Sequence, residues 1–242
     1  MTLPPGNRSR PLLMIAARAP IAGSTKTRLG NAIGMDRAAT LYRAFLRDLA
    51  DRFDSEAAAA SRGYDLAWTY SPPDRDFARD LSDITSRPLP PSTFCVAQDG
   101  PDWGVRQANL LRWAADQGYD RTVLMASDSP HLRAKVIDRA FSLLEEVDTV
   151  LGRVRDGGYY LIGMRGFVDI LSAVPMSTSS AADGVVDSAR SLGLTIGETS
   201  PSFDIDEASD LDLLIDVLHD EPELCPATWR ALKELKLADF AP

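Results

Sequence analysis

The segment at residues 121–130 constrains the fold of this chain more than any other segment. Residues 123–126 form a short apolar run, with a charged residue shortly before it and a proline shortly after it. Such a run is typical of a strand buried on both faces, as in parallel sheets. Asp128 then stands where this strand would reach the carboxyl edge of the sheet, the edge at which open α/β sheets bind ligands.

Asp128 has two interpretations from the sequence alone. An aspartate between two serines can supply oxygen to a hard metal ion such as Mg²⁺ or Mn²⁺. The same aspartate could instead cap a following helix, whose apolar pattern begins near Leu132. Spacing does not decide between a metal ligand and a helix cap.

Short apolar runs alternate with amphipathic segments along the chain. Strands are predicted at residues 11–17, 64–70, 93–97, 123–126, 149–152, 159–164 and 194–197. Helices are predicted at residues 36–53, 74–81, 102–117, 132–146, 181–191 and 207–219, and a loop at residues 18–29. This alternation predicts βαβ units with right-handed crossovers. We expect a single-domain three-layer α/β/α fold with a mostly parallel sheet.

The ends of the chain are predicted to lie outside this domain, which would cover residues 11–220. Residues 1–10 are interpreted as a disordered leader, and residues 221–242 as a C-terminal extension with a short helix. The first apolar run is interrupted by Arg18, so we interpret it as a buried strand rather than a secretion signal. No apolar stretch approaches the length of a membrane span.

The charge of the chain is acidic overall but unevenly distributed. Its 242 residues include 26 Lys and Arg against 35 Asp and Glu, a formal net charge of −9, which disfavours binding of nucleic acid. The first 35 residues contain only basic charges. A basic start in an acidic protein predicts a focused anion-binding site rather than a polyanion-binding surface.

The cysteines and histidines exclude several catalytic arrangements. Cys95 and Cys225 form no metal-ligand spacing and are predicted to be reduced, which favours a cytoplasmic location. His131 and His219 are the only histidines, which disfavours a His-based zinc site and a Ser-His-Asp triad. We expect both histidines on helix surfaces, although His131 could neighbour a site.

The loop at residues 18–29 is the candidate phosphate-binding element. It follows the first strand, Gly23 allows close approach of the backbone, and Lys26 and Arg28 supply positive charge. A Rossmann fingerprint needs three spaced glycines, and a P-loop needs Gly directly before its Lys; neither pattern is present. NAD-dependent dehydrogenases and P-loop kinases are therefore disfavoured. A solvated basic turn remains the alternative.

Four ordered motifs resemble a bacterial family. They are Lys26-Thr-Arg-Leu29 with the upstream Pro20 and Gly23, Ser127-Asp-Ser-Pro130, Asp156-Gly-Gly-Tyr-Tyr-Leu-Ile-Gly163 and Phe203-Asp-Ile-Asp206. Over residues 12–216 the chain is similar to GT-A-type nucleotide-diphospho-sugar transferases, some of them labelled arsenosugar-biosynthesis glycosyltransferases. The first motif and its helix are also similar to phospholactate guanylyltransferases. The resemblance implies the nucleotide-diphospho-sugar transferase (GT-A-like) fold.

The resemblance implies nucleotide binding at the sheet edge. In sugar nucleotidyltransferases, a Gln and glycines after the third strand lie against the nucleobase. Glycines permit close approach of the backbone to a ligand, and a Gln amide both donates and accepts hydrogen bonds. A glycine loop capped by Asp102 is the alternative. The implied nucleotide-binding residues are Ala17, Arg18, Gly23, Lys26, Arg28, Gln98, Gly100, Gly104 and Ser127.

Asp156 is the candidate residue to orient or deprotonate an acceptor hydroxyl. It precedes Gly157, Gly158 and Tyr159, an arrangement in which a bend beside an aromatic face suits a sugar or another acceptor. The alternative is a hairpin turn at the start of a strand.

The last motif supplies the second predicted metal ligand. By the resemblance this ligand is Asp206, with Asp204 as its competitor. Asp206 is also a natural N-cap for the helix that follows. The two roles are compatible, because one carboxylate oxygen could cap the helix while the other binds metal.

The sequence thus predicts a metal-dependent transferase that uses Mg²⁺ or Mn²⁺, a nucleotide or nucleotide-sugar, and a small-molecule acceptor. Asp128 and Asp206 would hold the metal against a diphosphate, while Lys26 and Arg28 neutralise phosphate charge. A glycosyltransferase is the first interpretation, and a nucleotidyltransferase that releases pyrophosphate is the alternative. A nucleotide-binding protein without turnover is the second alternative. The nucleobase, the sugar, the acceptor and the oligomeric state are left open.

Overall fold

The predicted alternation of strands and helices is present in the computed structural model, which describes residues 10–176 and 178–238. The strands of these residues are β1 Leu12–Arg18, β2 Asp65–Ser71, β3 Thr93–Ala97, β4 Arg121–Ala126, β5 Thr149–Arg153, β6 Tyr159–Arg165 and β7 Ile196–Glu198. The α-helices are α1 Thr27–Ile33, α2 Met35–Phe53, α3 Glu56–Ser61, α4 Phe77–Thr85, α5 Trp103–Asp116, α6 Ala134–Leu143, α7 Ala181–Ser191, α8 Ala208–Asp220 and α9 Pro226–Glu234. A short 3-10 helix, Pro222–Leu224, precedes α9.

The strands form one sheet in the order β3-β2-β1-β4-β6-β5-β7. Strand β1 pairs in parallel with β2 on one side and with β4 on the other, whereas β6 runs antiparallel between β4 and β5. The chain therefore builds outwards from β1 to β3 and then changes direction across the sheet to continue at β4. The predicted α/β domain with a mostly parallel sheet is confirmed.

Each face of the sheet buries its own core. Along β1, Leu13 and Ile15 contribute to the core with residues of α2, α6 and α8, while Leu12 and Met14 contribute to the core with residues of α5 and α7. The predicted three layers follow from this alternation. Because both faces are covered, six of the seven residues of β1 are buried, which explains the continuous apolar run in its sequence.

Helix α1 lies partly within the segment predicted as a loop. It begins at Thr27 and buries only Leu29 and Gly30. Two buried positions in seven residues give no helical periodicity that a sequence pattern could reveal.

Two aspartates do not cap helices as the sequence suggested. The alternative that Asp128 caps the next helix is wrong, because Arg133 is the N-cap residue of α6. The prediction that Asp206 caps the last helix is also wrong. Glu207 is the N-cap residue of α8, and the carboxylate of Asp210 accepts from the backbone N–H groups of Asp206 and Glu207. The side chains of Asp128 and Asp206 are thus available for other contacts.

The C-terminal helix α9 packs on α2. The buried carboxylate of Asp48 in α2 accepts hydrogen bonds from the backbone N–H groups of Ala227, at 2.9 Å, and Thr228, at 2.7 Å. These groups belong to the first turn of α9, where N–H groups have no partner inside the helix. Asp48 therefore satisfies the start of α9 from a neighbouring helix.

Of the predicted leader, residues 1–10, only Arg10 lies within the described residues. Within the residues that the structure describes, every helix is too short or too polar to cross a bilayer. Cys95 and Cys225 are free thiols.

The prediction that His131 lies on a helix surface is wrong, whereas His219 is exposed. The ring of His131 is buried and stacks on Phe203, with 4.0 Å between the ring centroids. Its Nε2 lies 3.1 Å from the hydroxyl of Ser202. Burial, together with nearby arginine charges, lowers the pKa of His131 to about 4, so the ring is neutral at pH 7.

A buried neutral histidine makes stability decrease on acidification. In the unfolded chain the histidine pKa is about 6.5, so His131 becomes protonated below that pH. In the folded chain His131 stays neutral down to about pH 4. We expect His131 alone to lower the unfolding free energy by about 2 kcal/mol between pH 7 and pH 5. Urea denaturation at these two pH values should therefore show a smaller loss for His131→Asn than for the native chain.

His219→Asn is the matched control, because His219 is exposed, and it should keep the native pH dependence. An unchanged pH dependence in His131→Asn would show that the His131 ring does not resist protonation.

Candidate functional site

A cleft of about 490 Å³ opens beside the carboxyl ends of β1 and β4. This is the point at which the chain changes direction across the sheet, where open α/β sheets bind ligands. The cleft brings together most of the residues that the sequence singled out. Those that line it are Ala17, Arg18, Lys26, Arg28, Gln98, Ser127, Asp128, Asp156, Gly158, Tyr159, Asp204 and Asp206.

Four of the predicted glycines do not line the cleft, namely Gly23, Gly100, Gly104 and Gly157. Gly104 instead allows close packing, because a Cβ there would lie 2.8 Å from the carbonyl oxygen of Leu171. Gly100 has a φ of 139° and Gly23 a φ of 78°, values that L side chains rarely adopt. These glycines shape the backbone around the cleft.

Lys26 lies at the centre of the charged residues of the cleft. Its Nζ is 2.6 Å from Asp128 Oδ1 and 3.0 Å from Asp206 Oδ1, and it donates to the carbonyl oxygen of Ile205 at 2.6 Å. Burial lowers the pKa of this ammonium, but the two carboxylates outweigh that effect and hold the pKa above its usual value. Lys26 therefore carries a positive charge that joins the end of β4 to the segment before α8.

The backbone of Lys26 adopts a left-handed conformation, with φ 50° and ψ 43°. This conformation is uncommon outside glycine, and sparsely populated backbone conformations cost about 1–3 kcal/mol. Lys26 occupies the turn just before α1, and its buried ammonium pairs there with two half-buried carboxylates. Such strain clusters at binding and catalytic sites.

Four aspartates, Asp128, Asp156, Asp204 and Asp206, line the cleft. Burial and the charges of Asp206, Asp156 and Asp128 raise the pKa of Asp204 to about 6. Burial also opposes ionisation of Asp206, but the charge of Lys26 outweighs it and lowers the pKa of Asp206. Across the described residues, no three Asp, Glu, His or Cys side chains are grouped closely enough to hold a metal ion, and Lys26 stands between Asp128 and Asp206.

Arg28 and Arg18 bring further positive charge to the cleft. The exposed guanidinium of Arg28 has its Nη1 3.6 Å from Asp206 Oδ2. Arg18 ends β1, and its Nη1 donates to the carbonyl oxygen of Ser24 at 3.3 Å. Three cations thus lie on one side of the cleft, all from the segment at residues 18–28.

Gln98 lines the cleft with its amide nitrogen already in use. That nitrogen donates to the carbonyl oxygens of Ala17, at 3.3 Å, and Thr69, at 3.2 Å. The buried side chain therefore ties the end of β3 to β1 and β2. Its carbonyl oxygen is the atom that remains for a ligand.

Tyr42, in the helix predicted at residues 36–53, lines the cleft and was not selected from the sequence. Its hydroxyl lies 2.7 Å from the hydroxyl of Ser127 and accepts the backbone N–H of Arg18 at 3.0 Å. Burial and the charge of Asp128 raise the pKa of Tyr42 to about 12. A buried tyrosine needs a hydrogen-bond partner, and that requirement is the signal that could have placed Tyr42 near polar residues.

A further part of the cleft wall comes from α5 and the β5–β6 hairpin. Trp103 and Arg106 of α5 line the cleft, and neither was predicted. The next residue of α5, Gln107, donates from Nε2 to the hydroxyl of Tyr159 at 2.7 Å. The same hydroxyl lies 3.4 Å from the sulfur of Met176. A charged or aromatic residue in an amphipathic helix is usually solvated, so no sequence pattern distinguishes Trp103 and Arg106 as site residues.

Asp156 occupies the turn of this hairpin, as the alternative interpretation expected. Its Oδ1 accepts the backbone N–H of Gly158 at 3.0 Å, while the side chain still lines the cleft. The carbonyl oxygen of Gly157 accepts from the backbone N–H of Ala182 at 3.0 Å. The turn is thereby fixed against the start of α7.

Gly157 is expected to be the less replaceable of the two glycines in this turn. A Cβ at Gly157 would lie 1.8 Å from the carbonyl oxygen of Ser179, and its φ is 90°. We expect Gly157→Ala to lower the unfolding free energy by about 2 kcal/mol or more, because strain adds to the steric overlap. Urea denaturation measures this loss.

Gly158→Ala is the matched control. A Cβ there would meet only the side chains of Val154, at 3.2 Å, and Asp156, at 3.3 Å, so we expect a clearly smaller loss. Equal losses in the two variants would contradict the close approach of the turn to Ser179.

Comparison of sequences identifies one family. A family profile described as “Uncharacterized protein conserved in bacteria (DUF2064)” matches residues 54–178. A search of curated proteins gives no match.

Comparison of structures identifies transferases. The chain resembles a proposed nucleotide-diphospho-sugar transferase from Desulfovibrio desulfuricans G20, with 29% sequence identity, coverage of 94% of this chain and 97% of that chain, and a TM-score of 0.82. It shares its fold with a cytidylyltransferase from Leptospira borgpetersenii serovar Hardjo-bovis, with 12% identity, coverage of 89% and 95%, and a TM-score of 0.50. It also shares its fold with 4-diphosphocytidyl-2C-methyl-D-erythritol synthase from Anaerococcus prevotii DSM 20548, with 11% identity, coverage of 87% and 96%, and a TM-score of 0.53. The predicted fold and resemblance are confirmed.

Proposed function

This chain belongs to the bacterial DUF2064 family, and we propose that it is a metal-dependent glycosyltransferase that uses a nucleotide-sugar donor. The observation that carries the proposal is the meeting of Lys26 with Asp128 and Asp206 within 3.0 Å at the edge of the sheet. A diphosphate needs positive charge along its length, and a cation-rich loop facing carboxylates can bind both the phosphates and a metal ion. A cytoplasmic location accompanies the proposal, because both thiols are free.

The donor would lie along the segment at residues 18–28. Lys26 and Arg28 would neutralise phosphate charge, and Arg18 could bind phosphate oxygens in a bidentate manner. Ser127, Ala17 and the side-chain oxygen of Gln98 would contact the nucleoside. Gly23, Gly100 and Gly104 would act indirectly, by setting the course of the backbone. This assignment is supported by the shared position of these residues at the carboxyl edge of β1, β3 and β4.

The proposal places a divalent cation at two carboxylates between which the ammonium of Lys26 lies in this structure. Carboxylate oxygens are the ligands that Mg²⁺ and Mn²⁺ prefer, and Asp128 and Asp206 would hold the ion, with Asp204 beside them. When bound, the ion would stabilise negative charge on the leaving diphosphate. Lys26 would have to leave the two carboxylates first, and its ammonium would then be available to a phosphate.

The acceptor would lie on the side of the cleft formed by the β5–β6 hairpin. Asp156 would orient the acceptor hydroxyl, with Gly157 and Gly158 shaping the turn and Tyr159 offering an aromatic face. In the reaction, the acceptor oxygen bonds to the anomeric carbon, the bond from that carbon to the diphosphate oxygen breaks, and Asp156 takes the hydroxyl proton.

A nucleotidyltransferase is the second candidate. The observation that favours it is the group of three cations, Arg18, Lys26 and Arg28, that line the cleft. A triphosphate carries more negative charge than a diphosphate, and this concentrated positive charge suits it. In that reaction an acceptor oxygen attacks the α-phosphorus, and pyrophosphate leaves.

The first experiment is a thermal shift of the purified chain with a panel of nucleotides and nucleotide-sugars, with and without Mn²⁺. A ligand that binds only the folded chain raises its Tm. A Mn²⁺-dependent shift with one nucleotide-sugar, followed by release of the nucleoside diphosphate in an acceptor screen, is the expected result. Release of pyrophosphate from a nucleoside triphosphate would support the second candidate instead. Nucleotide binding without any product would indicate a binding protein, and no shift with any ligand would contradict all three functions.

Lys26→Gln should have opposite effects on the two kinds of ligand. Without the ammonium, the two carboxylates are no longer neutralised, so Mn²⁺ should bind the free protein roughly tenfold more tightly or better. Binding of the nucleotide should weaken, more so at low salt, because a phosphate loses its cation. Isothermal titration calorimetry measures both affinities.

Two further variants complete this experiment. Arg230→Gln removes a cation of α9 that does not line the cleft and should change neither affinity. Asp128→Asn should abolish tight Mn²⁺ binding. If Lys26→Gln leaves Mn²⁺ affinity unchanged, the metal does not bind between Asp128 and Asp206.

A further inference from the structure

Arg106 is a cation of the cleft that lacks an acidic partner. Its Nε donates to the carbonyl oxygen of Gly100 at 2.8 Å, which fixes the guanidinium at the start of α5. Among the described residues, no Asp or Glu oxygen lies within 4.0 Å of this guanidinium. Lys26 and Arg28, by contrast, both face Asp206. The Nη atoms of Arg106 are therefore left for a ligand of the cleft.

The neighbours of Arg106 place it on the part of the cleft wall formed by α5 and the β5–β6 hairpin. Gln107, the next residue, is hydrogen-bonded to Tyr159, whose hydroxyl contacts Met176. Trp103 lies three residues before Arg106, so the two side chains share one face of α5, and both line the cleft. This wall offers a guanidinium next to apolar and aromatic surface.

The distribution of charge within the cleft separates this wall from the rest. Four carboxylates, those of Asp128, Asp156, Asp204 and Asp206, line the part of the cleft around Lys26 and the β5–β6 turn. An anionic group would be repelled there unless a cation neutralised it. On the wall formed by α5, the half-buried guanidinium of Arg106 has no competing carboxylate, and a planar guanidinium binds carboxylate or phosphate oxygens through two parallel hydrogen bonds.

We propose that the acceptor carries an anionic group, a carboxylate or a phosphate, that binds to the Nη atoms of Arg106. Trp103 and Met176 then pack against the apolar part of the acceptor, while its hydroxyl lies towards Asp156. The inference rests on the proposed function, because it takes the α5 and hairpin wall as the acceptor side. Arg106 would thereby determine both the class of acceptor and its orientation.

The experiment uses inorganic phosphate and acetate as probes on the full chain. Binding is followed by NMR at the Nε–H groups of the arginines, since the Nε–H of Arg106 is held by Gly100 and should give a resolved signal. Both probes should shift this signal in the native chain. Arg106→Gln should weaken probe binding roughly tenfold or more, because it removes charge-assisted hydrogen bonds. Arg106→Lys should bind with intermediate affinity, because it keeps the charge but not the paired geometry.

Two controls separate this site from its surroundings. Arg112→Gln changes another arginine of α5, which faces Asp169 and does not line the cleft, and it should bind both probes as the native chain does. Arg18→Gln changes the cation at the end of β1 and should also leave the Arg106 signal responsive. The probe that binds more tightly identifies the anionic group as phosphate or carboxylate.

Three results would overturn the inference. The first is that neither probe shifts the Arg106 signal, and the second is that Arg106→Gln binds both probes with native affinity. The third is that Arg18→Gln abolishes the response while Arg106→Gln keeps it, which would assign the anion to the nucleotide side. Failure of this inference is distinct from failure of the proposed function, because the thermal shift with nucleotides does not depend on Arg106.

Discussion

The buried ammonium of Lys26 joins parts of the chain that are far apart in the sequence. It holds the carboxylate of Asp128 at the end of β4 and that of Asp206 before α8, and it also binds the backbone at Ile205. A buried charge of this kind is tolerated only when partners surround it. One side chain therefore connects the first loop, the end of β4 and the segment before α8. The cleft is organised around this side chain.

The sequence predicted best those features that depend on local burial. Strands β1 and β4 are buried on both faces, so their apolar runs were evident within one or two residues of their bounds. The predicted strands defined the carboxyl edge of the sheet, and Asp128 was therefore predicted to lie at that edge. The four motifs predicted the fold, and the cleft contains a side chain from each of them, such as Lys26, Ser127, Asp156 and Asp206.

The features that the sequence missed depend on contacts between distant residues. Tyr42 and Ser127 are 85 positions apart, and the sequence around either residue does not indicate the hydrogen bond between them. His131 is buried because Phe203 covers it, which no helical pattern around His131 could reveal. Glu207 rather than Asp206 is the N-cap residue of α8, and Asp206 instead contacts Lys26, which lies 180 positions earlier in the chain. Local propensity gives way wherever a tertiary partner is available.

Helix α2 connects the cleft to the C-terminal helix. Tyr42 of α2 contacts Ser127 at the cleft, and Asp48, six residues later and so about 9 Å along the helix, satisfies the first turn of α9. Without α9, the buried carboxylate of Asp48 would lose these hydrogen-bond donors, on the same rigid helix that positions Tyr42. No residue of α9 lines the cleft, yet α9 supports the helix that positions Tyr42 there, so the scaffold of the candidate site extends to a helix outside it.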